Sequence, residues 1–198
     1  HDAGLAVTAT VPISALLGLL IACVYYQGHK IINRVILLYV DFFRAFPPLV
    51  LLIFIYYALP FLGMQLDEFS ATVLALVLNS SGYFAELFRA GLQSVGPGQN
   101  EAARSTGLNA RQAMAYVIVP QGVRNVIPDL ASNTLEAVKQ TSIASAVALP
   151  ELLRAAQIAQ GQTYNQTPLI AAALMYFMLL WPLVRAISRM QKPVLIPR

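Results

Sequence analysis

The chain has 198 residues, a formal charge of +4 from 13 Lys and Arg against 9 Asp and Glu, 58% hydrophobic residues and only 11% charged ones. Globular domains use about a quarter charged residues to cover their surface, so a chain with a mean hydropathy of +0.63 belongs in a bilayer. Its single Cys, 11 Gly and 12 Pro exclude a disulfide scaffold and a collagen-like chain, and its scattered cations form no stripe for nucleic acid.

A spanning helix takes about 20 mostly apolar residues. Charge-free stretches occur at positions 3–29, 45–66, 69–85 and 155–184. The first lacks a basic leader and is too long for a signal-peptide core, so it reads as a span, with Cys23 as an inert packed thiol. The chain begins His1-Asp2 without an initiator Met, which leaves open that it is a fragment. The last stretch opens on a polar lead-in at 157–167, so its span starts near Pro168. Residues 125–149 are apolar enough to cross although they carry Asp129, Glu136 and Lys139. The expected architecture is therefore an all-α integral membrane protein with five transmembrane helices, at about 5–26, 36–60, 69–90, 125–149 and 168–188, read as one transmembrane domain over 1–198.

Five crossings put the termini on opposite sides. Segments 27–34, 89–124 and 185–198 hold ten Lys and Arg, whereas 1–4, 60–68 and 150–167 hold only Arg154. By the positive-inside rule the N-terminus lies outside and the C-terminus in the cytoplasm. The 18 Tyr and Phe and the single Trp181 suit packing and interfacial anchoring.

Within the second span, Pro47-Pro48 breaks the helix and frees backbone carbonyls that are tolerable only against protein or a cavity. Asp41 and Arg44 are spaced as an interfacial pair. In the third span Glu86 precedes Arg89 by three residues, which suits either a fixed pair closing an inner gate or a substrate contact. In the fourth, Glu136 and Lys139 share a helix face and either pair with each other or face substrate.

The longest segment between spans, 96–122, is ordered rather than linker-like. Gly96-Pro97-Gly98 signals a turn and a helix follows, with Glu101 near its start. Gly107 ends that helix, Asn109 caps a second, and Pro120 closes it. Glu101-Ala102-Ala103, then Gly107, then Val117, Val119 and Pro120, resembles the EAA loop of ABC importer permeases. Tyr83-Phe84-Ala85-Glu86-Leu87-Phe88-Arg89-Ala90-Gly91 is similar to the run ending the third span in the polar amino acid subfamily. Phe43-Arg44-Ala45-Phe46-Pro47 and Lys139-Gln140-Thr141-Ser142-Ile143-Ala144-Ser145 resemble elements of its second and fourth spans. Ala45-Phe46 and Gln140 depart from the subfamily's Gly-Thr and Asp.

The resemblance implies a type I, MetI-like importer domain that moves an amino acid or amino-acid-like solute through a bacterial inner membrane by alternating access. It implies two cytoplasmic ABC ATPase subunits, a second permease copy or paralogue, and a periplasmic solute-binding protein. This chain holds no Gly-x-x-x-x-Gly-Lys-Ser/Thr string, so ATP and Mg are expected on the partner and no cofactor on this chain. Coupling to the ATPase is expected of Glu101, Ala102, Ala103, Arg104, Gly107 and Pro120. For the substrate pathway the candidates are Arg44, Pro47, Glu86, Glu136, Lys139, Thr141 and Ser142, with Lys139 or Arg44 facing a carboxylate and Glu136, Thr141 and Ser142 an amine. No catalytic or metal-binding residue is expected. The competing classes are a channel or passive carrier, which has no reason to carry an EAA loop, and an intramembrane enzyme built on a Ser142–Lys139 dyad.

Overall fold

The computed structural model describes residues 2–147 and 152–190, apart from the side chains of a few residues near position 2 and of Thr141, Ser145 and Met190. The described chain is helical: α1 (Asp2–Tyr26), α2 (Lys30–Ala45), α3 (Pro48–Ile53), α4 (Glu68–Gln93), α5 (Pro97–Ser105), α6 (Ala110–Ala113), α7 (Val119–Asn125), α8 (Ile127–Gln140), α9 (Leu152–Thr163) and α10 (Thr167–Met190). Among the described residues three helices are long and apolar enough to span a membrane, over Thr8–Tyr26, Glu68–Gln93 and Thr167–Arg189. Taking α2 with the helical run Pro48–Leu62 as one broken span makes four.

The fifth expected span is not a continuous helix among the described residues. After α8 the backbone tightens into a 3-10 run, Thr141–Val147, and the rest of that segment lies outside the described residues. The polar lead-in is helical through Thr163, as the second half of α9, whose Leu152 and Ala156 lie one turn apart on one face.

The chain divides into two compact units. One comprises Val11–Phe46 and Val77–Asn133. Its core is Ala22 of α1, Phe84, Phe88 and Leu92 of α4, then Val95, Ile118 and Val126, and the Phe84 and Phe88 rings stack. Gly18 lets α1 approach α4 closely, since a Cβ there would lie 2.6 Å from Phe84 Cβ. Between α1 and α2 the chain turns through Gly28, at φ 82°, and Asn33 Nδ2 donates to Tyr25 O at 3.1 Å.

The other unit holds residues up to Thr10, Pro47–Leu76 and those from Thr134 onward. Here α9 packs along α10, and α3 packs on the 3-10 run after α8. Asp67 caps α4, accepting from Ser70 N at 3.2 Å. The bonds from Ser70 hold its carboxyl below the ordinary aspartate range. On α10, Phe177, Met178, Leu179 and Trp181 are all more than half exposed, a face suited to lipid or another chain.

Candidate coupling loop and pathway residues

Pro97 starts α5 at its first position, where its missing N–H costs nothing, with Gly96 as the N-cap. The helix thus begins earlier than the Gly-Pro-Gly turn suggested. Glu101 falls in its second turn rather than at its start, beyond the reach of a first-turn dipole effect. Glu101, Ala102 and Arg104 are exposed, while Ala103 is buried. Of the expected coupling residues, Ala103 therefore packs inward and its neighbours present the free face.

The exit from α5 is a Schellman motif. Leu108 N donates to Ala103 O at 3.3 Å and Gly107 N to Arg104 O at 3.1 Å, with Gly107 at φ 91°. That backbone region is strained for any residue with a Cβ. Asn109 then caps α6 in a reciprocal box: Gln112 N donates to Asn109 Oδ1, and Asn109 N to Gln112 Oε1, both at 2.9 Å. The Asn-x-x-Gln spacing signals this box, although Gln112 was not among the expected residues.

Pro120 does not close the second helix. The chain widens into a π turn, Met114–Ile118, and continues as α7 with Pro120 in the first turn. A π turn shifts the hydrogen-bond register by one residue, so a residue without an N–H is accommodated and the helical path runs on to Asn125. Three contacts clasp the two arms of the loop. Gln121 Nε2 donates to Gln99 Oε1 at 3.2 Å, and Asn125 Nδ2 to Ser94 Oγ at 2.8 Å. At the base, a Cβ on Gly91 would meet the Gly122 carbonyl and come within 3.0 Å of both Val126 methyls.

The second span breaks where the two prolines require. Phe43 O and Arg44 O would accept in an unbroken helix from the N–H groups of residues 47 and 48, and both are Pro. Two side chains one turn apart on α4 supply donors instead. Asn79 Nδ2 lies 2.7 Å from Phe43 O and 3.1 Å from Phe46 O, and the Tyr83 hydroxyl lies 3.2 Å from Arg44 O. Neither was expected as a partner of the break. The signal was available: orphaned carbonyls in a span demand donors, and the nearby apolar run carries Asn79-Ser80-Ser81.

Arg44 does not pair with Asp41. Its guanidinium lies over the Tyr83 ring, 5.4 Å from the centroid, where the cation–π attraction and the chain path past Gly82 hold it. Arg44 and Glu86, both expected pathway residues, line one pocket of about 340 Å³ together with Tyr83, Asp129, Ser132 and Asn133. Glu86 is held by Arg89, whose Nε donates to Glu86 Oε2 at 2.9 Å within a two-pronged pair. Arg89 also reaches Gln93 and lies over the Tyr25 ring.

Pro47 is the N-cap residue of α3. Lys139 Nζ donates to Glu136 Oε2 at 2.9 Å, and Ser142 Oγ to Lys139 O at 2.9 Å. The Lys139 amine thus contacts Glu136, and the Ser142 hydroxyl contacts the Lys139 carbonyl. Lys139 and Ser142 line a pocket of about 330 Å³ with Leu153, Ala172 and Tyr176. The Thr141 side chain lies outside the described residues.

Residues 14–192 match the model of the family described as "Binding-protein-dependent transport system inner membrane component". A relative from Bacillus subtilis (strain 168), the "Probable glutamine ABC transporter permease protein GlnP", is 34% identical over 183 residues, 90% of this chain and 84% of its own length. A crystal structure of an amino acid ABC transporter with histidines is 39% identical, with a TM-score of 0.82 over 94% of this chain and 87% of that one. An inward-facing structure of the MetNI methionine ABC transporter has a TM-score of 0.78 over 96% and 91% of the two chains at 18% identity, a likeness of fold alone.

Proposed function

The chain belongs to the family of binding-protein-dependent transport system inner membrane components, and on that premise we propose that it carries an amino acid or amino-acid-like solute into the cell. It is a permease subunit of an ABC transporter, a membrane component that is not itself an enzyme. The channel and Ser-Lys readings have no support beside that membership.

Finer points of the reading are ours. ATP and Mg are bound by two partner ATPases, a second permease completes the pathway, and an external binding protein delivers the solute. The N-terminus faces outward, the side opposite ten of the 13 cations. The 96–122 loop then lies in the cytoplasm, where Glu101 and Ala102 meet the ATPase. Arg44 and Asp129 offer a cation and a carboxylate in one pocket, the complement of a zwitterion, with Glu86 braced by Arg89 beside them.

The observation that carries the reading is the rigid loop: a Schellman exit, a capping box and a two-glycine base hold a short helix with its polar face free. Such a lever transmits force without folding on itself. ATP-dependent uptake in proteoliposomes containing the permease, ATPase and binding protein, screened against cationic, polar and acidic amino acids, tests it. Accumulation of one class only with ATP is expected. Equal entry without ATP would mark a passive carrier and overturn the proposal.

A further inference from the structure

A pocket of about 570 Å³ opens where α1 ends. Tyr26 and His29 form one side, and Arg104, Arg111, Met114 and Ile118 of the loop form the other. Among the described residues no Asp or Glu lines it, and neither guanidinium has an ion-pair partner. Both arginines are exposed.

We propose that this pocket binds the phosphate of an anionic phospholipid headgroup. Arg104 and Arg111 give this one pocket two cations, and the planar donor forks of guanidinium groups match phosphate oxygens. The volume exceeds what a lone phosphate fills, and Tyr26, Met114 and Ile118 add an apolar wall that a soluble anion does not need. Tyr26 ends a helix long and apolar enough to span, the level where aromatic residues and headgroups meet. Basic pockets at that depth select acidic headgroups. This assignment goes beyond transport itself, because it concerns a lipid that stays bound rather than a solute that passes.

The test uses the assembled transporter with its ATPase, in nanodiscs of phosphatidylcholine with or without phosphatidylglycerol, read by native mass spectrometry. Phosphatidylglycerol should be retained in preference to phosphatidylcholine. Arg111→Gln should weaken that retention about fivefold, the usual effect of one cation at an anionic surface, and Arg111→Lys, which keeps the charge without the planar fork, should weaken it less. Ala110→Glu, which places a carboxylate at a small side chain lining the same pocket, should weaken it independently, while Arg189→Gln, outside the pocket, should not. The proposal fails if phosphatidylglycerol binds no better than phosphatidylcholine, if inorganic phosphate displaces it at equal concentration, or if both pocket variants retain it fully. It also fails if retention is absent in the ATPase-bound complex, which would assign the arginines to the ATPase.

Discussion

Asn79 Nδ2 stands 2.7 Å from Phe43 O, filling the place of the N–H that Pro47 lacks. The carbonyls that the two prolines leave without an amide donor are therefore satisfied from α4. Asn79 is 1% exposed, so its side chain finds its partners within the protein.

Asn79→Leu should lower stability by about 1 kcal/mol, the cost of losing the bond to a partly buried carbonyl. Asn79→Asp should cost more, because a carboxylate would face two carbonyl oxygens. Thermal unfolding of the purified permease in detergent measures both.

The same geometry predicts coupling between the residue and the break. In a Pro47→Ala background an amide N–H becomes available to Phe43 O, so the penalty of Asn79→Leu should shrink. A double-mutant cycle reads this as a non-zero interaction energy. Strict additivity would show that Asn79 acts independently of the break.

Gly107→Val places a β-branched residue at φ 91°, a conformation that costs about 1–3 kcal/mol for a residue with a Cβ. It should distort the exit from α5 and reduce ATP-driven uptake and ATPase co-purification while the permease still inserts. Gly107→Asn, which tolerates the left-handed region better, should retain more of both. Glu101→Lys should reduce uptake without changing unfolding, because its side chain lies on the exposed face.

Gly91→Ala should destabilise the loop base by about 1–3 kcal/mol through overpacking against Gly122 and Val126. Gly98→Ala should be nearly neutral, since a Cβ there meets nothing within 4 Å. Unfolding midpoints of the two variants should differ accordingly.

How much of this was legible in the sequence depended on whether the signal was local. Gly107, Asn109 and Pro47 announced themselves because backbone geometry at each depends on that residue and its near neighbours in sequence, and the structure follows. Pro120 misled because a proline ends a helix only when the register before it is α, and a π turn removes that condition. The length of α8 was equally hidden, since an apolar stretch fixes how long a helix can be but not where a 3-10 run interrupts it. Asn79 and Tyr83 were missed for another reason: their partners lie more than 30 residues away, and only the fold brings an orphaned carbonyl to its donor. Arg44 turned from Asp41 to the Tyr83 ring by the same long-range logic.

The most direct test of the account is the sidedness of the loop. With Cys23→Ala as background, Ala102→Cys is labelled with a membrane-impermeant thiol reagent in sealed vesicles of known orientation. Labelling only from the cytoplasmic side, blocked when the ATPase is bound, is the predicted result. Labelling from the external side would contradict the account, because no ATPase could then reach Glu101 and Ala102.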